Sequence, residues 1–209
     1  MIQAIHLQRM GRSGLSLTGP GEQTEDDWLG MLDELAAALA AVFRISCHVR
    51  TEAVEAASAF DPARNQYYST AILQLLARDN DAESMRVLAV TSLDLYVPVL
   101  TFVFGEAQLG GGCAVVSLHR LREEFYGLPG NGNLLRERLV KEALHELGHT
   151  FGLRHCADWR CVMASAHAVE RLDLKSAEFC PACRLIVDTS LRDNLPSALP
   201  PSSEVPAKA

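Results

Sequence analysis

Apolar residues recur along the chain with two periods, and each period marks a different kind of element. Residues 25–43 carry Trp28, Leu29, Leu32, Leu35, Ala36 and Leu39 at intervals of one, three and four, which gathers them on one helical face. Thr24 is placed to cap that helix, and Asp26 and Asp27 suit its first turn. The string YYSTAILQLLARD, residues 67–79, predicts a second helix. A third stripe, Val140, Leu144, Leu147 and Phe151, predicts a helix after a glycine-rich turn in which Asn131 and Asn133 are candidate N-caps. Short apolar runs at 2–8, 44–50, 86–91, 100–105 and 113–118 read as strands, with a Gly/Pro-rich loop at 11–22. This alternation predicts an α/β (α+β) fold, a mixed twisted sheet with helices packed on it.

The pattern changes after residue 155. Residues 156–183 are irregular and rich in cysteine, with a helix expected within 175–192. The end of the chain is rich in Pro, Ser and Ala, and residues 195–209 are expected to be disordered. The expected organisation is one domain, 1–194, with an upper lobe at 1–152 and a small lower lobe at 153–194. A length of 209 residues, 48% hydrophobic and 22% charged, suits an ordinary globular protein of that size. The net charge of −7 argues against nucleic acid as a partner. No apolar run reaches the length of a membrane span, and MIQAIHLQRM lacks the apolar core of a signal peptide. The expectation is therefore a cytoplasmic protein whose thiols stay reduced. No pattern in the chain specifies an oligomeric state.

The chemistry is concentrated in HELGHTFGLRH, residues 145–155. Positions four apart on a helix share a face, so His145 and His149 can present two imidazoles to one ion. Glu146 lies one step round, beside the metal, where a general base is wanted. Gly152 suits the left-handed residue that ends a helix, after which His155 returns as a third ligand. Three protein ligands with a fourth position open is the arrangement of a catalytic zinc. A second cluster follows at once: Cys156, Cys161, Cys180 and Cys183, as C-x4-C, eighteen residues, then C-x2-C. Two close pairs across a spacer fit a closed four-cysteine structural zinc. Two disulfides, or a thiol redox pair at Cys180 and Cys183, are the competing readings. Cys47 and Cys113 read as buried core thiols, and His6, His48, His119 and His167 as structural or surface residues.

Together with Met163, two residues beyond Cys161, the string HELGHTFGLRHC-ADWR-C-V-M followed by C-x2-C resembles the archaemetzincin pattern. FVFGEA at 102–107 and AVVSLHRL at 114–121 are similar to that family's segment ahead of the active-site helix. The resemblance spans roughly residues 85–185. It implies a zincin/metzincin-like fold with a substrate cleft beside the helix and Met163 on a Met-turn beneath the metal. It also implies two zinc ions per chain, one catalytic on His145, His149 and His155, one structural on the four cysteines. Several metzincins carry a Tyr two residues after the Met; here that position is Ser165. The implied function is a zinc metallopeptidase, acting on a peptide or protein substrate with Glu146 as base. The alternative is a non-catalytic zinc protein that only binds peptides. In the stretch GEAQLGGGC (105–113), with consecutive glycines at 110–112, residues 105–110 are either the strand edge that pairs with substrate or a plain hairpin loop.

Overall fold

The computed structural model describes residues 2–11, 25–78 and 84–192. In chain order its strands are β1 (Ala4–Gly11), β2 (Ser46–Glu55), β3 (Phe60–Asp61), β4 (Gln66–Tyr68), β5 (Met85–Thr91), β6 (Leu95–Tyr96), β7 (Gly105–Ala107) and β8 (Cys113–Ser117). The helices are α1 (Glu25–Phe43), α2 (Ser69–Ala77), α3 (Gly132–Thr150), α4 (Val169–Leu174) and α5 (Pro181–Arg192). The main sheet runs β2-β1-β5-β8-β7. Its first four strands are parallel, and β7 alone is antiparallel, against β8. The mixed sheet with packed helices is as expected.

The central strands are apolar on both faces because both faces are covered. Leu88 and Val90 of β5 join α1 and α3 in one core, while Val87 and Ala89 point the other way onto Ile72, Leu73 and Leu76 of α2. In α1 the stripe Trp28, Leu32, Leu35, Ala36 and Leu39 is buried; Leu29 is only half-buried at its margin. Thr24, the loop at 12–22 and the tail at 195–209 lie outside the described residues. Asn131 does cap α3, its side chain accepting from the Leu134 N–H at 3.1 Å, whereas Asn133 lies inside the helix.

Several local expectations need correction. The second helix begins at Ser69, since Tyr67 and Tyr68 pair in β4 with β3 and β6. These three strands are two or three residues long, too short to show a period. Residues 100–104 do not form a strand. The first two carbonyls go to side chains: Arg64 Nη2 donates to Leu100 O at 2.9 Å and Gln66 Nε2 to Thr101 O at 3.0 Å. Only Val103 bridges, to Leu95, and the edge strand starts at Gly105. The cysteine-rich segment also contains an unexpected helix, α4. Cys113 is buried as expected, but Cys47 is half-buried, with its thiol pushed up to about 11 by burial.

Arg138 explains how α4 is held. It is 3% exposed, forms a bidentate pair with Asp173, and also contacts Glu123 and the Leu121 carbonyl. The guanidinium thus joins α3, α4 and the turn at 123–126. Arg138→Met removes every one of these donors and leaves a buried carbonyl unpaired. Denaturant unfolding is expected to show a loss of about 3 kcal/mol; a loss below about 0.5 kcal/mol, the level of an ordinary surface change, would contradict this role.

Candidate active site

The last turns of α3 place His145 and His149 one above the other. The helix then ends on a Schellman motif: the Leu153 N–H donates to Gly148 O at 3.1 Å and the Gly152 N–H to His149 O at 2.9 Å. Gly152 has φ of 89°, the left-handed conformation the sequence required of it. The chain reverses there and brings His155 back. The three ring centroids are 4.7, 5.3 and 5.2 Å apart, and one ligand atom from each ring lies within 4.8 Å of the others.

The hydrogen bonds decide which nitrogens are available. His145 Nδ1 faces Val162 O at 2.8 Å, and His149 Nδ1 faces Leu153 O at 2.7 Å. A carbonyl only accepts, so each Nδ1 carries its proton and each Nε2 presents a lone pair. Burial first, then the Lys175 ammonium, holds the His145 imidazole well below its usual pKa; burial also lowers His149 and His155. All three rings are therefore neutral at pH 7. Yet His145 Nε2 and His149 Nε2 stand 3.2 Å apart, two lone pairs with no proton to share. That is close to the edge of a tetrahedron of zinc–nitrogen bonds, about 3.3–3.4 Å. A cation resolves this repulsion, so the residues fit a metal ion.

The four cysteines pass the same test. Cys156, Cys161, Cys180 and Cys183 gather into one cluster, with no disulfide among them. Cys156 Sγ lies 3.8 Å from Cys180 Sγ, close to the edge of a tetrahedron of zinc–sulfur bonds at about 2.3 Å. The backbone N–H groups of Met163 and Cys180 donate to Cys161 Sγ at 3.4 and 3.3 Å, opposing the burial that raises its thiol. The two clusters are joined at more than the His155–Cys156 peptide bond. Met163 O accepts from the Cys156 N–H at 2.9 Å, and Val162 O is the carbonyl that orients His145.

Glu146 is 5% exposed, and burial raises its carboxyl well above the usual range, helped by Glu142 and Glu106. Its place is bounded by glycine. A Cβ on Gly105 would stand 2.6 Å from Glu146 Cγ and 2.7 Å from Val115 O, so β7 can pass α3 here only without a side chain. Gly148 plays the matching part below. A Cβ there would be 2.4 Å from Met163 Sδ, so the buried Met163 lies directly against the helix between the two imidazoles' turns. Gly148→Ala should therefore displace Met163. We expect a loss of about 1–3 kcal/mol in denaturant unfolding; a variant as stable as the wild type would show that the close approach is slack.

One cleft opens beside these groups. It is walled by Leu100 to Gly105 on one side and by Ser165, Ala166 and His167 on the other, with Glu142, His145, Glu146, His155 and Lys175 on its floor. Ser165 Oγ lies 3.2 Å from His167 Nε2. His167 is exposed, as its surface reading has it, and lines the cleft, whereas His6 and His48 sit together on β1 and β2 and His119 packs on Phe125. Glu142 was also missed, although its spacing of four before Glu146 puts both on one helical face. Lys175 had no local signal at all. β7 is the open edge of the main sheet: residues 104 and 108 bond to β8, so the alternation leaves Gly105 and Ala107 backbone groups facing outward. Of the candidate segment 105–110, only this part is strand; Gly110 and Gly111 turn back, and the Gly110 N–H donates to His149 O at 2.9 Å.

The family model of peptidase family M54 matches residues 39–188. An archaemetzincin of Methanocaldococcus jannaschii is 47% identical over 125 residues, 60% of this chain and 68% of that protein. One of Archaeoglobus fulgidus is 38% identical over 153 residues, 73% of this chain and 88% of that protein. Among solved structures, a zinc-dependent peptidase from Methanocorpusculum labreanum superposes with a TM-score of 0.73 at 32% identity, covering 88% of this chain and 99% of that one. The archaemetzincin of Methanopyrus kandleri superposes with a TM-score of 0.72 at 33% identity, covering 92% and 97%.

Proposed function

The chain belongs to peptidase family M54, the archaemetzincins, and from that membership we propose how its own residues cut a peptide bond. It is a zinc-dependent metallopeptidase, and its substrate is a peptide or protein. We assign the catalytic zinc to His145, His149 and His155, and a second, structural zinc to Cys156, Cys161, Cys180 and Cys183. Bound at the histidines, zinc supplies Lewis acidity, lowering the pKa of water towards neutrality and polarising a carbonyl.

The remaining work falls to side chains and backbone. The substrate lies extended along β7, using the outward groups of Gly105 and Ala107, with side chains against Leu100 and Phe102. Glu146 takes the proton from the attacking water and delivers it to the leaving amine nitrogen. A raised pKa suits that shuttle, because the carboxyl must accept and return a proton at one pH. His167, beside His155 on the cleft wall, is the donor we place nearest the developing oxyanion, in the absence of the Tyr found in several metzincins. The cysteine cluster needs reduced thiols, and on that ground we place the enzyme in the cytoplasm. Among the described residues no helix is long and apolar enough to cross a membrane.

The observation that carries the reading is the pair of facing Nε2 lone pairs, 3.2 Å apart, beside a buried carboxyl. The test is metal analysis with a peptide-library digest. Two zincs per chain, with cleavage lost on chelation and restored by zinc, are expected. Cleavage that survives complete zinc removal would overturn it.

A further inference from the structure

Lys175 is a charged side chain in the core. It is 4% exposed, at the bottom of the cleft, and burial lowers its pKa against the opposing pull of Glu142 and Glu146. Its Nζ donates to Val162 O at 3.1 Å and to Ala164 O at 2.8 Å. These are the carbonyls on either side of Met163. One of them, Val162 O, is also the acceptor for His145 Nδ1 at 2.8 Å. A peptide carbonyl has two lone pairs. With Lys175 on one, a single direction remains for the imidazole N–H, and that direction fixes the plane in which His145 Nε2 points. The clamp on Ala164 O holds the far side of the same turn, so Met163 Sδ stays against Gly148.

We propose that Lys175 is a positioning residue for the peptidase reaction, orienting His145 and clamping the turn that carries Met163 through the two carbonyls of Val162 and Ala164. It acts on the metal site from outside the ligand set, as partners of ligating histidines do. The four cysteines hold the same turn from below, through the N–H of Met163 on Cys161 and the carbonyl of Met163 on Cys156. Lys175 holds it from the cleft side. The proposal rests on the assignment of His145 as a zinc ligand.

The test is Lys175→Met in the full-length, zinc-loaded chain, with His145→Ala as control. Chelator competition should show zinc leaving the histidine site roughly 10- to 100-fold more readily, with the cysteine-bound zinc retained. The cobalt-substituted histidine site should change its visible spectrum, and kcat should fall with KM within about twofold, since no substrate contact is lost. An unchanged cobalt spectrum and unchanged metal affinity in Lys175→Met, with zinc loss in His145→Ala, would overturn the role of Lys175 alone. Retention of both zincs by His145→Ala would overturn the ligand assignment beneath it. Should Lys175→Met fail to fold, the wild type decides. In nitrogen-15 lysine-labelled protein the Lys175 ammonium should exchange its protons slowly, and exchange as fast as that of a solvated lysine would refute the clamp.

Discussion

Glu146→Gln is expected to lower kcat/KM for peptide cleavage by about 10³-fold while leaving the fold and both zincs in place. The carboxamide has the shape of the carboxylate but cannot accept a proton and return it. Stability should hold or rise, and the reason lies in the neighbours. Glu142 and Glu146 are both buried, burial raises both carboxyls, and the Glu142 charge raises Glu146 further. Glu142 Oε2 has no hydrogen-bond partner. A Gln at 146 removes one buried acid from the pair and still offers an N–H₂ donor to the Glu142 carboxyl it already hydrogen-bonds. Kinetics, metal analysis and thermal unfolding on one preparation separate the outcomes. Cleavage within about tenfold of wild type would remove Glu146 from the mechanism, because a positioned base contributes at least about a hundredfold.

Cys180→Ser should do its damage at a distance. Hydroxyl oxygen is a poor replacement for thiolate, so the cysteine cluster is expected to lose its zinc. The Cys180 N–H that now donates to Cys161 Sγ is disturbed, and Cys161 also accepts from Met163. The chain from Cys161 through Met163 to Val162 then ends at His145. Zinc at the histidines is expected to bind about 10- to 100-fold more weakly, although Cys180 touches none of them. The variant should still fold. Val162, Phe179, Cys183 and Val187 share one core with α1 and α3, and Phe179 packs edge-on against Phe43 at 5.8 Å. The segment after Gly152 is thus seated by apolar contacts as well as by metal. Unaltered affinity at the histidine site, with the cysteine zinc gone, would show that the two centres are independent.

The sequence made the ligands legible because their geometry is local. Four residues of helix, a left-handed glycine and a short return position His145, His149 and His155 with little help from the rest of the chain. The cysteine pairs are local in the same way. The groups around them were not legible. Gly105 reaches Glu146 from the sheet edge, and Lys175 reaches His145 through the carbonyl of a residue thirteen positions earlier. Both depend on how the sheet edge and the cysteine segment dock on α3, which no spacing encodes. Gly148 could have been suspected, since a glycine inside a helix usually marks a close neighbour. The apolar run at 100–105 misled for a physical reason: its alternation suits a strand, but Arg64 and Gln66 take up the carbonyls a ladder would have used. A wall for the cleft is made in place of a strand.

With substrate paired on β7 as proposed, the brevity of that strand limits how much main chain it can hold. Three residues of edge present the N–H and C=O of Gly105 and Ala107, four groups in all. At a net value of about 1 kcal/mol for each hydrogen bond, main-chain pairing supplies about 4 kcal/mol, the equivalent of a millimolar grip. A long unfolded chain therefore gains little over a short one from the backbone alone. In the proposed binding mode, choice among substrates passes to the few side chains that meet Leu100, Phe102 and His167.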